Sequence, residues 1–434
     1  MALLQLASLP NSFTNMLPLE RKSLFIASKP FQCRASNNSF ANSREYISRR
    51  SANFQPSLWS YDYIQSLSSE YMQGESYKEQ SRMLREEIRI MLSKVVNHVD
   101  QLELIDVLQR LGVAYHFINE IRNILDRINN MDTPKGEKNL HATALEFRLL
   151  RQHCYNISTD VFVSFLDEAG NFKKCHSFGA KEMLSLYEAT FHSFEDETIM
   201  NKARDFTLEF LKEYLTKNKG NHLSLLTSHA LELPLHWRID RWEARWFIDA
   251  YRRRENMSPA ILQLAIVDFN IVQAIYQEEL KYTSRWDPKT IDNLPDYMKI
   301  CFLALYNFVN ELGHEILKEN GCDITPYLKE AREKETGDIP KSIQCYMNET
   351  RVSEKEACEY MKSMMHTTWK KMNEEACNSS FPESFIDVAI NLAKMALCMY
   401  QHGDGHTIQD PKINSRIVSL IFQPIPDLYA QKSS

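Results

Sequence analysis

Apolar positions along the chain recur at helical spacing, and no stretch of useful length alternates with period two. Leu102, Ile105, Leu108 and Leu111 form one stripe three residues apart, and Gly112 behind them is a C-terminal stop. Ser258 followed by Pro259 is an N-cap with proline at the first helical position, where its missing N–H has no partner to lose. From there Ile261, Leu262, Ala265, Ile266, Phe269, Val272, Tyr276 and Leu280 continue one apolar face for about five turns. Thr325-Pro326 repeats the start signal. Ser353 with Glu356 is a capping box that opens a helix running toward Asn373. Phe385 to Tyr400 is apolar on most sides, which predicts a core helix ending near Gly403. No internal repeat is present. Together these elements predict a soluble all-α protein of two helical domains, divided somewhere near Arg253–Ser258.

Composition agrees with the pattern. Glycine is 11 and proline 15 of 434 residues, against usual levels of roughly 7% and 5%, as a mostly helical chain requires. A net charge of −6 argues against a general nucleic-acid binder. The apolar runs are interrupted by charges too often to predict a membrane span. The nine cysteines contain no CxxC pair, and their scatter predicts free thiols in a reducing compartment. Residues 1–44 stand apart: seven serines and five basic residues accompany one acid, Glu20. That is the composition of an organelle transit peptide; the alternative is a tail without targeting meaning. Its removal would leave a mature chain of net charge −10.

Six separated blocks carry a more specific signal. Arg49-Arg50, eight residues and then Trp59 form the first. Leu140 to His153 (LHATALEFRLLRQH) is the second, and Leu231 to Arg238 (LELPLHWR) with Glu243 to Ile248 (EARWFI) the third. Leu294 to Phe302 (LPDYMKICF), Pro340 to Met347 (PKSIQCYM) and Tyr400 to His406 (YQHGDGH) complete the series. In this order the blocks resemble plant terpene synthases, most closely plastid monoterpene synthases, over residues 45–434. The resemblance implies a transit peptide over 1–44, an N-terminal helical terpene-synthase barrel over 45–255, and a class I terpenoid-synthase helical domain over 256–434. It implies loss of diphosphate from a prenyl diphosphate such as geranyl diphosphate, assisted by Mg²⁺ or Mn²⁺, giving monoterpenes in a chloroplast. Such chemistry needs clustered carboxylates, because hard cations must bridge carboxylate and phosphate oxygens, and a pocket that excludes water from the carbocation.

The family's DDxxD motif is absent from this chain. Asp292-Asn293-Leu294-Pro295-Asp296 imitates its spelling, but Pro295 disrupts a helical interior, and the stretch matches family text that lies beyond the motif. Tyr282 to Trp286 matches the end of one family helix, and Asp287-Pro288-Lys289 continues with text from well downstream. A second break falls near Lys329–Glu333, where only Glu333 of the second metal motif remains. Its alternative is a solvated helix face. The expectation is a truncated class I domain, its activity impaired or lost through two missing segments. The competing class is a non-catalytic all-α homologue or partner-binding module associating with an intact synthase. Missing helices also predict exposed apolar faces and poor packing in the C-terminal half.

By resemblance Arg49 and Arg50 act in substrate isomerisation and closure, with Trp59 anchoring that segment; a salt-bridge latch between domains is the alternative. Arg238, Arg241 and Arg245, at spacings of three and four, are expected to share a helix face, either as a cationic patch for diphosphate or as partners of acids across the domain junction. Tyr400 and Asp404 resemble the family's tyrosine and aspartate near the end of the last long helix, or else belong to a capping loop. His402 and His406 have a metal-binding spacing on a helix, but Gly403 and Gly405 between them favour a loop. Trp237, Trp242, Trp246 and Phe247 face either a cation or the core.

Overall fold

The computed structural model describes residues 58–130, 139–173, 178–285, 287–320, 342–401 and 410–428. These residues form sixteen α-helices and no strand, with one isolated antiparallel bridge between Leu166 and Phe172. The helices are α1 (Tyr61–Ser66), α2 (Glu70–Gln73), α3 (Glu75–Lys94), α4 (His98–Arg110), α5 (Ile118–Asn130), α6 (Leu140–Gln152), α7 (Ala180–Ala189) and α8 (Thr198–Lys217). They continue as α9 (His222–Glu232), α10 (Asp240–Tyr251), α11 (Pro259–Ser284), α12 (Asp296–Asn320), α13 (Ser342–Thr350), α14 (Glu354–Asn378), α15 (Glu383–Tyr400) and α16 (Pro411–Ile417).

The local signals act where the pattern placed them. Leu102, Ile105 and Leu108 are fully buried on α4, and Gly112 just beyond it adopts φ +72°, the left-handed conformation that glycine enters without strain. A side chain at Gly112 would also meet Ala244 Cβ at 2.9 Å. Ser258 caps α11 through Ile261 N–H, with Pro259 in the first turn. Ser353 and Glu356 close their reciprocal box at the start of α14. The Thr325-Pro326 start lies outside the described residues.

Two large apolar clusters hold the molecule together. One joins α3, α4, α5, α6, α10 and α11 around Leu102, Leu125, Leu149, Phe247 and Phe269. The other joins α6, α7, α8, α9 and α10 around Phe147, Phe162, Leu186 and Trp237, and receives Trp369 from α14 and Cys398 from α15. Helix α11 is the single described helix long and apolar enough to cross a membrane, yet 72% of its apolar window is buried in the protein. It is a core helix. A third, small cluster of Leu294, Met298 and Phe302 sits beneath α12.

Two expectations need correction. Helix α15 forms over the predicted residues but is not a core helix: Phe385 is 56%, Leu392 60% and Tyr400 62% exposed. It rests on the second cluster along one edge only, through Ile390, Ala393, Leu397 and Cys398. And two of the nine cysteines are not free thiols. Cys154 and Cys377 form a disulfide pair with Cα atoms 5.0 Å apart, across a separation of 223 residues that hides their proximity in the sequence.

Candidate functional site

Helix α10 and its approach define where the arginines point. Pro234 follows α9, a 3₁₀ turn spans Leu235–Trp237, and Arg238 and Ile239 are extended before α10 begins at Asp240. Arg238 therefore does not share a helix face with Arg241 and Arg245, as spacing alone suggested. Its guanidinium is 1% exposed and fully engaged. Nε donates to Leu233 O at 2.7 Å, Nη1 to Glu243 Oε2 at 2.5 Å and Nη2 to His229 O at 2.6 Å. His229 Nε2 reaches the same carboxylate oxygen at 2.9 Å. Burial alone would raise the Glu243 carboxyl, but the Arg238 charge and the His229 hydrogen bond outweigh it and hold the group far below the usual range.

This pair belongs to a longer buried chain of charges. Arg110 bonds Asp106 at 3.0 Å, contacts Glu188 closely and lies 3.6 Å from Glu243, while Arg148 reaches Asp106. Three arginines and three acids thus bind α4, α6, α7 and α10 together, each charge opposed by another as low-dielectric surroundings demand.

A second cluster ties α10 to α11. Asp268 accepts from Tyr115 Oη and from Arg241 Nη1 at 3.0 Å, and lies 2.9 Å from His116 Nε2. Arg241 also lies over the Phe269 ring, 5.0 Å from its centroid. Burial would push the Asp268 carboxyl up, yet the His116 hydrogen bond and the Arg241 charge hold it below its ordinary value. Arg245 bonds Asp249 at 2.7 Å one turn along the same helix. Further down α11, burial without a compensating charge pushes the Glu279 carboxyl up to about 7.

The remaining candidates divide by position. The Trp59 ring lies 5.3 Å from Phe422, so the start of the described chain touches its last helical turn. Gln65 on α1 donates to Lys281 O and Ser284 Oγ at the end of α11. Tyr400 is the exposed last residue of α15. Arg49, Arg50, Glu333, His402, Asp404 and His406 lie outside the described residues. Trp237, Trp242 and Phe247 are buried in the two core clusters, and Trp246 stacks on His229 at 3.5 Å.

A divalent metal of the family's kind needs several carboxylate oxygens converging on one point. Among the described residues no group of three or more His, Cys, Asp or Glu side chains could hold one. Asp292 and Asp296 lie on separate elements, the 3₁₀ turn Pro288–Asn293 and the start of α12, and Asp296 pairs with Lys299 at 2.9 Å. Asp268 is committed to Arg241, Tyr115 and His116, and Glu279 lacks a second acid. The described donor set does not fit the metal.

The comparisons with known proteins explain this frame. The N-terminal domain model of terpene synthases matches residues 58–231, and the terpene synthase metal binding domain model matches 278–332 and 330–371. The chain is 38% identical to the chloroplastic myrcene synthase of Quercus ilex, covering 98% of this chain and 99% of that protein. The chain belongs to the terpene synthase family. The (−)-alpha-terpineol synthase of Vitis vinifera is 36% identical over 99% of this chain and 100% of its own length. Among solved structures, limonene synthase with 2-fluorolinalyl diphosphate matches with TM-score 0.73 at 30% identity, covering 87% of this chain and all of that one. Isoprene synthase from grey poplar, with three Mg²⁺ ions and dimethylallyl-S-thiolodiphosphate, matches with TM-score 0.64 at 29% identity, covering 85% and 99%. The all-α fold of the terpene synthases is therefore this chain's fold. The alignment with the Quercus synthase runs over 597 positions, and this chain has 434 residues to fill them. At least 163 positions of that alignment hold no residue of this chain.

Proposed function

We propose that this chain is a plastid homologue of the monoterpene synthases that retains the family's helical frame but does not ionise a prenyl diphosphate. The observation that carries the reading is the loss of the aspartate motif at a definable joint. Family text ends at Trp286 and resumes at Asp287 without a DDxxD between, within an alignment that spans the whole relative. Chloroplastic relatives and the serine-rich, basic residues 1–44 support plastid targeting. We divide the chain into domains at 255/256, a reading supported by the break between α10 and α11.

In an intact synthase of this kind, the substrate would be geranyl diphosphate and the cofactor Mg²⁺ or Mn²⁺. Arg49, Arg50, Tyr400 and Asp404 are the residues of this chain that we assign to the substrate side by resemblance. Glu333 alone gives a divalent cation too few oxygens. The test is incubation of purified mature protein with geranyl or farnesyl diphosphate and either metal, followed by product analysis. No cyclic or acyclic terpene is expected; a terpene product lost on chelation overturns the proposal.

A second reading draws on the exposed apolar side chains Ile300, Phe381, Phe385 and Leu392. Exposed apolar side chains of this kind suit a module that associates with an intact synthase. Co-purification with a full-length synthase tests it, and a strictly monomeric protein that binds none counts against it.

A further inference from the structure

Helix α14 docks on the N-terminal helices through one face. His366, Trp369, Lys370, Asn373 and Cys377 recur at spacings of three and four. His366 Nδ1 lies 3.0 Å from Arg204 Nη1, and Trp369 stacks on Trp237 with centroids 5.6 Å apart. Lys370 donates to Asn201 Oδ1 at 2.7 Å. Asn373 donates to Phe191 O at 2.8 Å and meets His236 Nε2 at 2.8 Å. The face ends at Cys377, beside Cys154.

Cys154 occupies an unusual backbone position. Helix α6 ends in a motif in which Tyr155 N–H donates to Leu150 O and Cys154 N–H to Arg151 O. That closure requires the left-handed conformation at residue 154, where glycine is the usual choice, and Cys154 adopts φ +59°. An L-residue held there against its preference points to a use for the side chain. The use available is the sulfur of Cys377.

We propose that Cys154 and Cys377 are a reversible redox site whose disulfide clamps α14 to the N-terminal helices. The pair is reachable from solvent, since Cys154 is exposed and Cys377 half-buried. A small-molecule disulfide oxidises it by two exchanges. The Cys154 thiolate attacks one sulfur and expels a thiolate, leaving a mixed disulfide. The Cys377 thiolate then attacks the Cys154 sulfur and expels the second. Two electrons pass from the protein dithiol to the reagent, and the two protein protons end on the two released thiols. A dithiol reverses both steps. The bond ties the end of α14 directly to the end of α6, so while it is intact the clamp restricts undocking of α14.

The full chain is incubated with oxidised glutathione or with dithiothreitol, then alkylated and digested. The oxidised sample should yield a joined peptide containing Cys154 and Cys377, lighter by two hydrogen atoms than the reduced pair, while Cys301 alkylates. Protease cleavage within residues 342–400 should be roughly tenfold slower than in the reduced sample, as expected when opening is the limiting equilibrium. Cys154→Gly suits the backbone at that position, and Cys377→Ser leaves it untouched. Both should keep the thermal transition of the reduced protein and lose all redox dependence of cleavage. Alkylation of both cysteines in the oxidised folded protein overturns the proposal. So does a crosslink that leaves cleavage unchanged, or redox-dependent cleavage that persists in Cys154→Gly.

Discussion

Helices α11 and α14 are nearly equal in length, 26 and 25 residues, and differ almost completely in burial. Sixteen residues of α11 are buried, whereas Ala357 and Trp369 are the buried pair on α14. Helix α11 is covered by α3, α10 and the chain end near Ile425, while α14 meets the N-terminal helices along a single stripe and stacks Tyr360 on Tyr346 of α13. The N-terminal helices with α11 are a finished core. Among the described residues α12 and α15 leave Ile300, Leu305, Phe385 and Leu392 exposed. A helix draws most of its stability from tertiary packing rather than propensity, so the same kind of substitution should have unequal effects in the two regions.

The largest effect is expected at Arg238. Arg238→Ala leaves Glu243 buried without its main counter-charge, and breaking such a pair costs about 3–5 kcal/mol. Urea unfolding followed by helical circular dichroism should show this loss. The double change Arg238→Met with Glu243→Leu should recover most of it, since apolar groups of similar volume replace buried ion pairs with little loss. If the single variant unfolds like the parent, the charge chain does not hold the N-terminal helices together. Phe269→Ala tests the apolar half of the same core. Phe269 is 2% exposed, and a buried phenylalanine truncated to alanine costs about 3–5 kcal/mol.

Acid should separate the regions next. Burial, then the charge of Lys394, lowers His236 to about 4, and burial with Arg204 lowers His366 to about 4. His236 faces the docked stripe of α14 through Asn373, and His366 belongs to it. Their folded values lie below the unfolded value near 6.5, so their contribution is present above that pH and lost as pH falls toward 4. Glu103, lowered to about 2 chiefly by the His141 hydrogen bond, contributes stability that persists until pH falls below about 4.5 and is lost toward 2. Burial also lowers His153, His192, His222 and His229 in the N-terminal region, so acid weakens both regions, and limited proteolysis at pH 5 should cut first within 342–400, where fewer side chains are buried. Simultaneous cleavage of both regions would mean that the two are one cooperative unit. Raising the pH toward 7 tests α11 separately. Glu279, raised to about 7 by burial, favours folding below the unfolded carboxyl value and loses that contribution as pH rises through 7. Glu279→Gln should flatten the stability profile between about pH 4.5 and 7.

What was legible in the chain followed from local chemistry. The α4 stripe, the Gly112 stop, the Ser258-Pro259 start and the Ser353–Glu356 box are each decided within a few residues, and each stands where the pattern put it. The family blocks were legible for the same reason, as contiguous text. The partners of the polar groups were not. Asp268 meets His116 from 152 residues away, and Cys154 meets Cys377 from 223. Arginine spacing at 238, 241 and 245 imitates one helix face because Pro234 and the extended residues before Asp240 reset the phase. Apolarity placed the helix Phe385–Tyr400 but not its surroundings, since a hydrophobic run reports what a segment would bury and not whether a neighbour is there to cover it.

The smallest effect is expected where that mismatch is greatest. Phe385 is 56% and Leu392 60% exposed on α15, and substitutions at such positions usually change stability by no more than about 0.5 kcal/mol. Phe385→Ser with Leu392→Ser should leave the urea midpoint of the N-terminal core unchanged. The same pair should raise the concentration at which the protein begins to scatter light, because contiguous exposed apolar surface drives self-association. The two readouts divide the explanations. Unchanged stability with better solubility means that α15 presents an uncovered face. A destabilisation comparable with Phe269→Ala would mean that α15 is covered in solution, and that the contrast with α11 does not hold for the protein as it exists there.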